Sequence, residues 1–400
     1  CVLLALAGLD RIIDYDDHSG RVVLEPGVTF RQLALFLRAR DSRFMPPYTG
    51  SGAHTSVVGN IMERGIGKGL YENMASHVVA CEAILANGET LKTSLDTPGP
   101  ALFGLIPQSN LAVVVELTLQ LTPQPKLSQV LLFALADEAA LGRAAEALRE
   151  QMLRAAPRLQ IAFMNDYRVV TQVTQFPFDR CDADMVLPRA WLDAWCAELG
   201  FARWTGFATL WADDSAELDA RCAALCGVLA DIGIEPRIEP LTIVRDEAID
   251  DTGLNSAYWR KRSPMPSDPD PDRDRCGVIW IAPALRLNAA ALQAVLPPIE
   301  AIMLAHGFEP GIGLRWGNAA SLRLIVGLFY DRDHAGADAR ALACRDALQK
   351  LCSTQQLARY RHGLLDGAIE GDAGVRSVMR ALKSHFDPHG ILAPDRYPFL

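Results

Sequence analysis

The chain has 400 residues, 50% of them hydrophobic, with 39 Lys and Arg against 48 Asp and Glu and a formal net charge of -9. That is enough apolar material for a large core and more than one domain, and a charged fraction of 22% excludes a disordered composition. Lys and Arg nowhere cluster, which argues against a nucleic-acid partner.

The opening Cys1-Val-Leu-Leu-Ala-Leu-Ala7 is apolar, short for a membrane span and without a basic flank, and it reads as a buried strand. Because the chain starts with Cys inside that strand, the natural protein is expected to extend further toward the N-terminus. Arg21 to Val28 reads as strand then turn. Thr29 then caps an amphipathic helix whose apolar positions are Leu33, Leu35, Phe36 and Leu37. Cys81 to Leu85 reads as a strand, Asn87-Gly88 as a hairpin turn, Thr90 to Thr93 as the return, and Val113 to Leu121 as a further strand closed by Pro123 and Pro125. Beyond this point the texture changes. Ala136 to Leu153 and Ser215 to Ile232 are helical by period and propensity, and Val278 to Ile281 and Leu322 to Phe329 read as buried strands. The Pro- and Asp-rich Arg262 to Arg275 reads as an exposed loop, and Val375 to His385 as a helix before a Pro- and Gly-rich tail. The texture implies α+β layers rather than a βαβ array. It divides the chain into residues 1–125, 126–355 and 356–400.

Nine cysteines lack CxxC or Cys/His ligand spacing, which fits free thiols in a reducing, cytoplasmic setting. No His pair has zinc-ligand spacing on one element, and His54 and His306 have no partner visible in sequence. The alternating acids of Asp268 to Asp274 read as a solvated loop, because their prolines oppose a calcium-wrapping turn. No metal site and no membrane segment are expected.

The most informative stretch is Thr49-Gly-Ser-Gly-Ala-His-Thr-Ser-Val-Val-Gly-Asn-Ile-Met-Glu-Arg-Gly-Ile-Gly67. Its glycines would let the backbone approach a ligand and aim N–H groups at oxygens. It could equally be a long surface loop. It matches neither GxGxxG after a strand nor GxxxxGK[ST], so neither the Rossmann nor the P-loop reading is supported.

The order of segments carries more than any one of them. Val22 to Leu33, Ser56 to Gly67, Gln108-Ser-Asn-Leu-Ala-Val-Val-Val115, Tyr360-Arg-His-Gly-Leu-Leu-Asp366 and Phe386-Asp-Pro-His-Gly-Ile-Leu-Ala-Pro394 resemble, in order, five segments of the vanillyl-alcohol oxidase and para-cresol methylhydroxylase family of FAD proteins. The resemblance implies a PCMH-type FAD-binding domain in residues 1–125, a cap or substrate domain with an antiparallel sheet in 126–355, and a return to the FAD domain in 356–400. The family's early Gly-rich pyrophosphate loop has no counterpart, so the FAD domain is expected to be N-terminally incomplete. The resemblance places FAD against Gly50, Ser51, Gly52, Ser56, Val57, Gly59, Asn60, Arg64, Gly65 and Gly67, and against Ser109, Asn110, Val113 and Arg361.

Tyr360 and Arg361 resemble the family's Tyr-Arg segment beside the active site. A guanidinium can stabilise a phenolate or reduced flavin, and a phenol hydroxyl can share a proton with a substrate oxygen. Asn73, in Tyr71-Glu-Asn-Met74, stands where the phenol oxidases place an Asp. An amide cannot take a proton as a carboxylate does, although Glu72 is adjacent. Arg315, Trp316 and Asn318 form a polar group before a buried strand and read either as a satisfied turn or as part of a substrate pocket. Several family members tether the flavin covalently to a His or Tyr of the cap. Val278 occupies the aligned position, so a non-covalent FAD is expected.

The function implied is hydride transfer from an organic substrate, such as a para-substituted phenol or aromatic alcohol, to FAD. Oxygen or an electron-transfer protein would be the acceptor, with a homodimer as one oligomeric form. Two alternatives stay open: a family member oxidising a non-phenolic alcohol, and a truncated flavin-fold protein without catalysis.

Overall fold

The computed structural model describes residues 2–50, 52–67, 73–155, 158–244, 252–286, 288–318, 321–363, 366, 372–394 and 396–397. The chain forms two compact units, residues 1–124 with 361–400, and residues 125–360.

The first unit is built on an antiparallel five-stranded sheet. Its strands run in the order Ile12–Asp16, Arg21–Leu24, Val113–Gln120, Val78–Ile84 and Thr90–Ser94. The Asn87-Gly88 turn forms as predicted, with Gly88 at φ +84°, a conformation that glycine adopts without a Cβ penalty. Thr29 caps the helix Phe30–Ala39 through a capping box: its hydroxyl accepts from the Gln32 N–H, and the Gln32 side chain accepts from the Thr29 N–H. Leu33 and Leu37 point inward from this helix, whereas Leu35 is 46% exposed.

The opening apolar run is not a strand. Residues 2–6 have no regular structure, and Val2, Leu3 and Leu4 are largely exposed. Apolar composition favours burial, but a strand also needs a sheet edge to take its N–H and C=O groups. Among the described residues, the strand ladder at that edge begins only at Ile12, preceded by single backbone bonds to the Leu9 and Arg11 carbonyls.

The C-terminal helix Ala373–Phe386 belongs to the first unit, and its end is a polar knot. Lys383 Nζ donates to Asp387 Oδ2 (2.6 Å), to the Asn110 carbonyl (2.7 Å) and to the Leu392 carbonyl (2.8 Å). Asp387 also accepts from the N–H groups of Ile391 and Leu392, both at 2.9 Å. Burial works to raise the Asp387 pKa, but Lys383 and the two N–H groups outweigh it and hold the carboxyl below its ordinary value. A depressed folded-state pKa contributes stability that is complete above the unfolded value, near 3.9, and is lost as pH falls through the folded value. Asp387→Asn is expected to cost about 1–3 kcal/mol at neutral pH and to flatten the loss of stability in acid. Thermal unfolding of both proteins across a pH series checks this; parallel curves would remove Asp387 as a source of the acid sensitivity.

The second unit carries a nine-stranded antiparallel sheet. Its central strands are Leu127–Leu135, Trp204–Ala212, Leu159–Asn165, Gly311–Asn318, Ser321–Asp331 and Cys276–Ile281, in that spatial order. One face is dry. Phe163, Ile312, Leu314, Trp316, Leu322, Leu324, Val326 and Leu328 pack there, under the helices Glu138–Ala155, Ser215–Asp231, Ala289–Ala305 and Ala337–Thr354. Arg262 to Arg275 is turns and coil, as its prolines imply.

Three clusters of buried charge in this unit are paired. Arg260 and Glu309 form an ion pair at 2.5 Å with side chains only 9% and 4% exposed. Glu309 also accepts from Trp259 Nε1 (3.0 Å) and the Leu187 N–H (3.1 Å). Asp166, fully buried, accepts from Arg203 at 3.0 Å and pairs with Arg189 at 2.7 Å. Lys261 lies 2.7 Å from Asp331 and 3.1 Å from Asp333.

Among the described residues no helix is long and apolar enough to cross a membrane, and no group of three or more His, Cys, Asp or Glu could hold a metal ion. The described cysteines are all free thiols.

Candidate functional site

In the first unit the Gly-rich stretch is a folded loop. A bridge between Thr49 and Gly67 closes its base, a second joins Thr29 to Ser56, and a third joins Ile66 to Asn73. The short helix Val57–Met62 forms inside it because Ser56 Oγ accepts from the Gly59 N–H at 2.8 Å while donating to the Pro26 carbonyl at 2.6 Å. Val57 and Val58 are buried, and Gly50, Gly59 and Arg64 are exposed. Two of its described residues have positive φ, Gly52 at +100° and Arg64 at +50°. Ser51 lies outside the described residues.

Asn60 sits at the centre of this loop. Its Nδ2 donates to Thr49 Oγ1 at 3.3 Å, and its Oδ1 is buried with no hydrogen-bond partner among the described residues. Gly65 makes that packing achievable: a Cβ on it would lie 2.2 Å from Asn60 Nδ2. A buried acceptor without a donor is costly, so Asn60 presents an oxygen suited to a ligand N–H or hydroxyl.

The end of the loop is clamped by the C-terminal tail. Glu63 accepts from Tyr397 Oη (2.5 Å), from Arg396 Nη2 (3.0 Å) and from Gln108 Nε2 (2.8 Å). Gln108 is buried at φ +59° and accepts the His362 N–H at 2.5 Å. Burial, followed by the bond to Glu63, pushes the Tyr397 phenol above its ordinary pKa, so it stays a donor. Asn110 Nδ2 donates to the carbonyls of Ala393 (3.0 Å) and Arg396 (2.8 Å), and Ser109 Oγ turns back to the Ile106 carbonyl (2.8 Å). Val113 opens the strand Val113–Gln120. Arg361 is half-buried. Asn73 is exposed before a short 3-10 turn, where its carbonyl accepts from Ser76 Oγ at 2.7 Å. Glu72 lies outside the described residues.

In the second unit, the sheet face opposite the dry one mixes glycine, arginine and aromatic side chains. Strand alternation sets Gly311, Gly313 and Arg315 on this face and Ile312, Leu314 and Trp316 on the dry one. The expectation that Arg315 and Trp316 line one pocket is therefore corrected. Trp316 is 2% exposed and packs on Phe163, with ring centroids 5.8 Å apart, in the core behind the sheet. Its neighbour Asn318 ends the same strand after a register shift. These residues lie within a strand, not in a turn: Arg315 pairs with Arg323 and Asn318 with Ser321 in an antiparallel ladder that shifts register between Trp316 and Asn318.

Arg315 and Arg323 are thus directly opposite one another. The Arg323 guanidinium also stacks 5.2 Å from the Tyr360 ring. Tyr360 is held there because the preceding Arg359 bridges Pro283 and the Ala358 carbonyl accepts from the Ala284 N–H at 2.8 Å. On the same face Gly327 leaves room for two rings: a Cβ on it would meet Phe329 at 2.4 Å and Trp280 at 2.9 Å. Val278 pairs with Phe329 in the adjoining strand.

Glu63, Gln108, Arg396, Tyr397 and Arg323 were not among the expected site residues. Gln108 stood in the quoted Gln-Ser-Asn motif, and Arg323 interrupts the apolar alternation of Leu322 and Leu324, so both left a signal. Tyr397 left none, and Glu63, although inside the quoted Gly-rich stretch, gave no sign of its partner, because the two are more than 300 residues apart.

Comparison with known proteins places these features. Residues 1–94 match a family model described as FAD binding domain. The whole chain is 32% identical to the 1'-carboxy-chondrochloren decarboxylase of Chondromyces crocatus, of which it covers 82%. The chain belongs to the p-cresol methylhydroxylase-type family of FAD-binding oxidoreductases. Within the family it is 22% identical to the 4-cresol dehydrogenase [hydroxylating] flavoprotein subunit of Pseudomonas putida, over 99% of this chain and 78% of that one. A crystal structure of p-cresol methylhydroxylase with substrate bound superposes with a TM-score of 0.81 at 19% identity, covering 98% of this chain and 78% of that one. The fold is that of the PCMH-type flavoproteins, and the chain is an FAD-dependent enzyme.

Proposed function

We propose that this protein oxidises an aromatic substrate bearing an ionisable oxygen, a para-substituted phenol or aromatic alcohol, by hydride removal to non-covalent FAD. The observation that carries the reading is the placement of Arg315 opposite Arg323 with the Tyr360 ring beneath the latter. Two guanidinium groups on directly paired positions give an anionic oxygen two charged, planar donors at once.

The residues of the first unit fit a flavin. The unpartnered Asn60 Oδ1 would accept from the cofactor, and the Glu63–Gln108–Tyr397 clamp would keep the loop in one shape. When bound, FAD supplies the two-electron acceptor for hydride. Arg361 then stabilises the negative charge that develops, Tyr360 shares a proton with the substrate oxygen, and Asn73 contributes a hydrogen bond without acting as a base. Val278, at the position where relatives attach the flavin, has no nucleophilic atom. Oxygen or an electron-transfer protein would reoxidise the cofactor.

One observation favours a related reading, in which oxidation is coupled to loss of CO2: the relative matched over the whole chain is named a decarboxylase. Removing hydride from the carbon next to the ring leaves that carbon electron-poor. If the adjacent carbon bears a carboxylate, the C–C bond to it can break. Its electron pair then forms the new double bond, and CO2 leaves.

The test is anaerobic mixing of the FAD-loaded protein with a para-alkylphenol, an aromatic alcohol, an aliphatic alcohol and a 4-hydroxyphenyl carboxylic acid, while following the oxidised flavin band. Bleaching by the aromatic compounds is expected, and CO2 from the acid would support the coupled reading. Bleaching by the aliphatic alcohol alone would overturn the aromatic assignment. Acid precipitation of the same protein is expected to leave the flavin in the supernatant; flavin fluorescence migrating with the chain in a denaturing gel would refute the untethered cofactor.

A further inference from the structure

Arg168 is the exception to the pairing of buried charge in the second unit. It lies in the first turn of the helix Asp166–Val173, whose N-cap Asn165 accepts the Arg168 N–H at 3.0 Å. The residue is 8% exposed. Its guanidinium packs 4.9 Å from the Trp280 ring and 5.2 Å from the Phe329 ring, and among the described residues its one polar contact is Ser256 Oγ at 3.4 Å. No carboxylate pairs with it among the described residues. The acid nearest in sequence, Asp166, is engaged by Arg189 and Arg203, and Glu309 is engaged by Arg260.

Desolvating a guanidinium costs several kcal/mol unless an anion is close, and two aromatic faces with one long hydroxyl contact offset only part of that. Burial, and next to it the charge of Arg315, lower the Arg168 pKa to about 10, which leaves it charged at neutral pH. Arg168, Arg315 and Trp280 belong to the same side of the sheet. A charged, planar, five-donor group is thus held against aromatic rings with no carboxylate partner among the described residues.

We propose that Arg168 is the binding residue for a carboxylate carried by the substrate, with Ser256 beside it and Trp280 and Phe329 flanking the carbon skeleton. The assignment rests on the reading of this chain as an oxidoreductase of aromatic substrates and adds to it the second polar group of the substrate. It also gives a release step: a product that has lost its carboxylate as CO2 loses this anchor.

The FAD-loaded protein, Arg168→Met and Arg168→Lys would be titrated with benzoate, 3-phenylpropionate and 3-(4-hydroxyphenyl)propionate, and with the matching primary amides. Affinity is read by calorimetry and thermal stabilisation, neither of which needs turnover. The wild type is expected to bind at least one carboxylate about 10- to 100-fold more tightly than its amide. Arg168→Met should abolish that preference and Arg168→Lys restore part of it. Because Arg168→Met removes an uncompensated buried charge, its unfolding temperature should equal or exceed that of the wild type. No preference for any carboxylate in the wild type, or a preference that survives in Arg168→Met, overturns the proposal. A lowered unfolding temperature in Arg168→Met with the preference intact would make Arg168 structural. Flavin reduction by an uncharged para-alkylphenol, run on the same variants, reports on the oxidation itself: its absence in the wild type would count against the parent reading, whereas loss of carboxylate preference alone counts against Arg168.

Discussion

Replacing Arg361 with alanine is expected to lower the rate of anaerobic flavin reduction by about a hundred- to a thousand-fold, the effect of removing one preorganised donor from a developing charge. The loss should fall on turnover more than on substrate binding, because the interaction is strongest when charge has built up. Arg361→Lys keeps the charge but not the planar fork, so it should recover only part of the rate. Stopped-flow reduction of the three proteins, each first shown to bind FAD, measures this. A fully active Arg361→Ala would make Arg361 a structural residue and leave the negative charge to Arg315 and Arg323.

Removing Glu309 is expected to have the largest effect on stability. Its carboxylate is 4% exposed and takes bonds from Arg260, Trp259 Nε1 and the Leu187 N–H at once. Glu309→Ala would strand the Arg260 guanidinium in a dry environment beside the Phe176 ring, 3.8 Å away. Breaking a buried pair from one side costs about 3–5 kcal/mol, on the order of ten degrees in unfolding temperature for a unit of this size. Arg260→Met in the Glu309→Gln background removes both charges and should regain most of the loss. Calorimetric scans of the single and double variants decide this, and equal destabilisation in both would mean that volume, not charge, dominates. Glu309 and Arg168 make a useful contrast: removing the partner of a paired charge should destabilise, whereas removing an unpaired charge should not.

Legibility in the sequence followed the range of the interaction. The helix Phe30–Ala39, the turn at Asn87-Gly88 and the helix Ser215–Asp231 were readable because capping, glycine geometry and a 3.6-residue period act over a few residues. Order along the chain did the rest: five short segments in the right succession sufficed to read the FAD-binding family, although no one of them is specific. The opening apolar run misled because hydrophobicity says only that a segment prefers burial, whereas a strand exists where another edge receives it. Trp316 misled for a related reason, since neighbours in sequence on a strand face opposite sides of the sheet.

The sequence by itself determined the family, the class of cofactor and the secondary structure with strong local signals. Only the tertiary structure decided which charges are matched. Glu63 meets Tyr397 across most of the chain, Arg315 faces Arg323 through strand register, and Arg168 is left buried against two aromatic rings. The physical reason is that a charge acquires meaning from its desolvation and from the groups within a few ångströms, and both are properties of packing in three dimensions rather than of position in the chain.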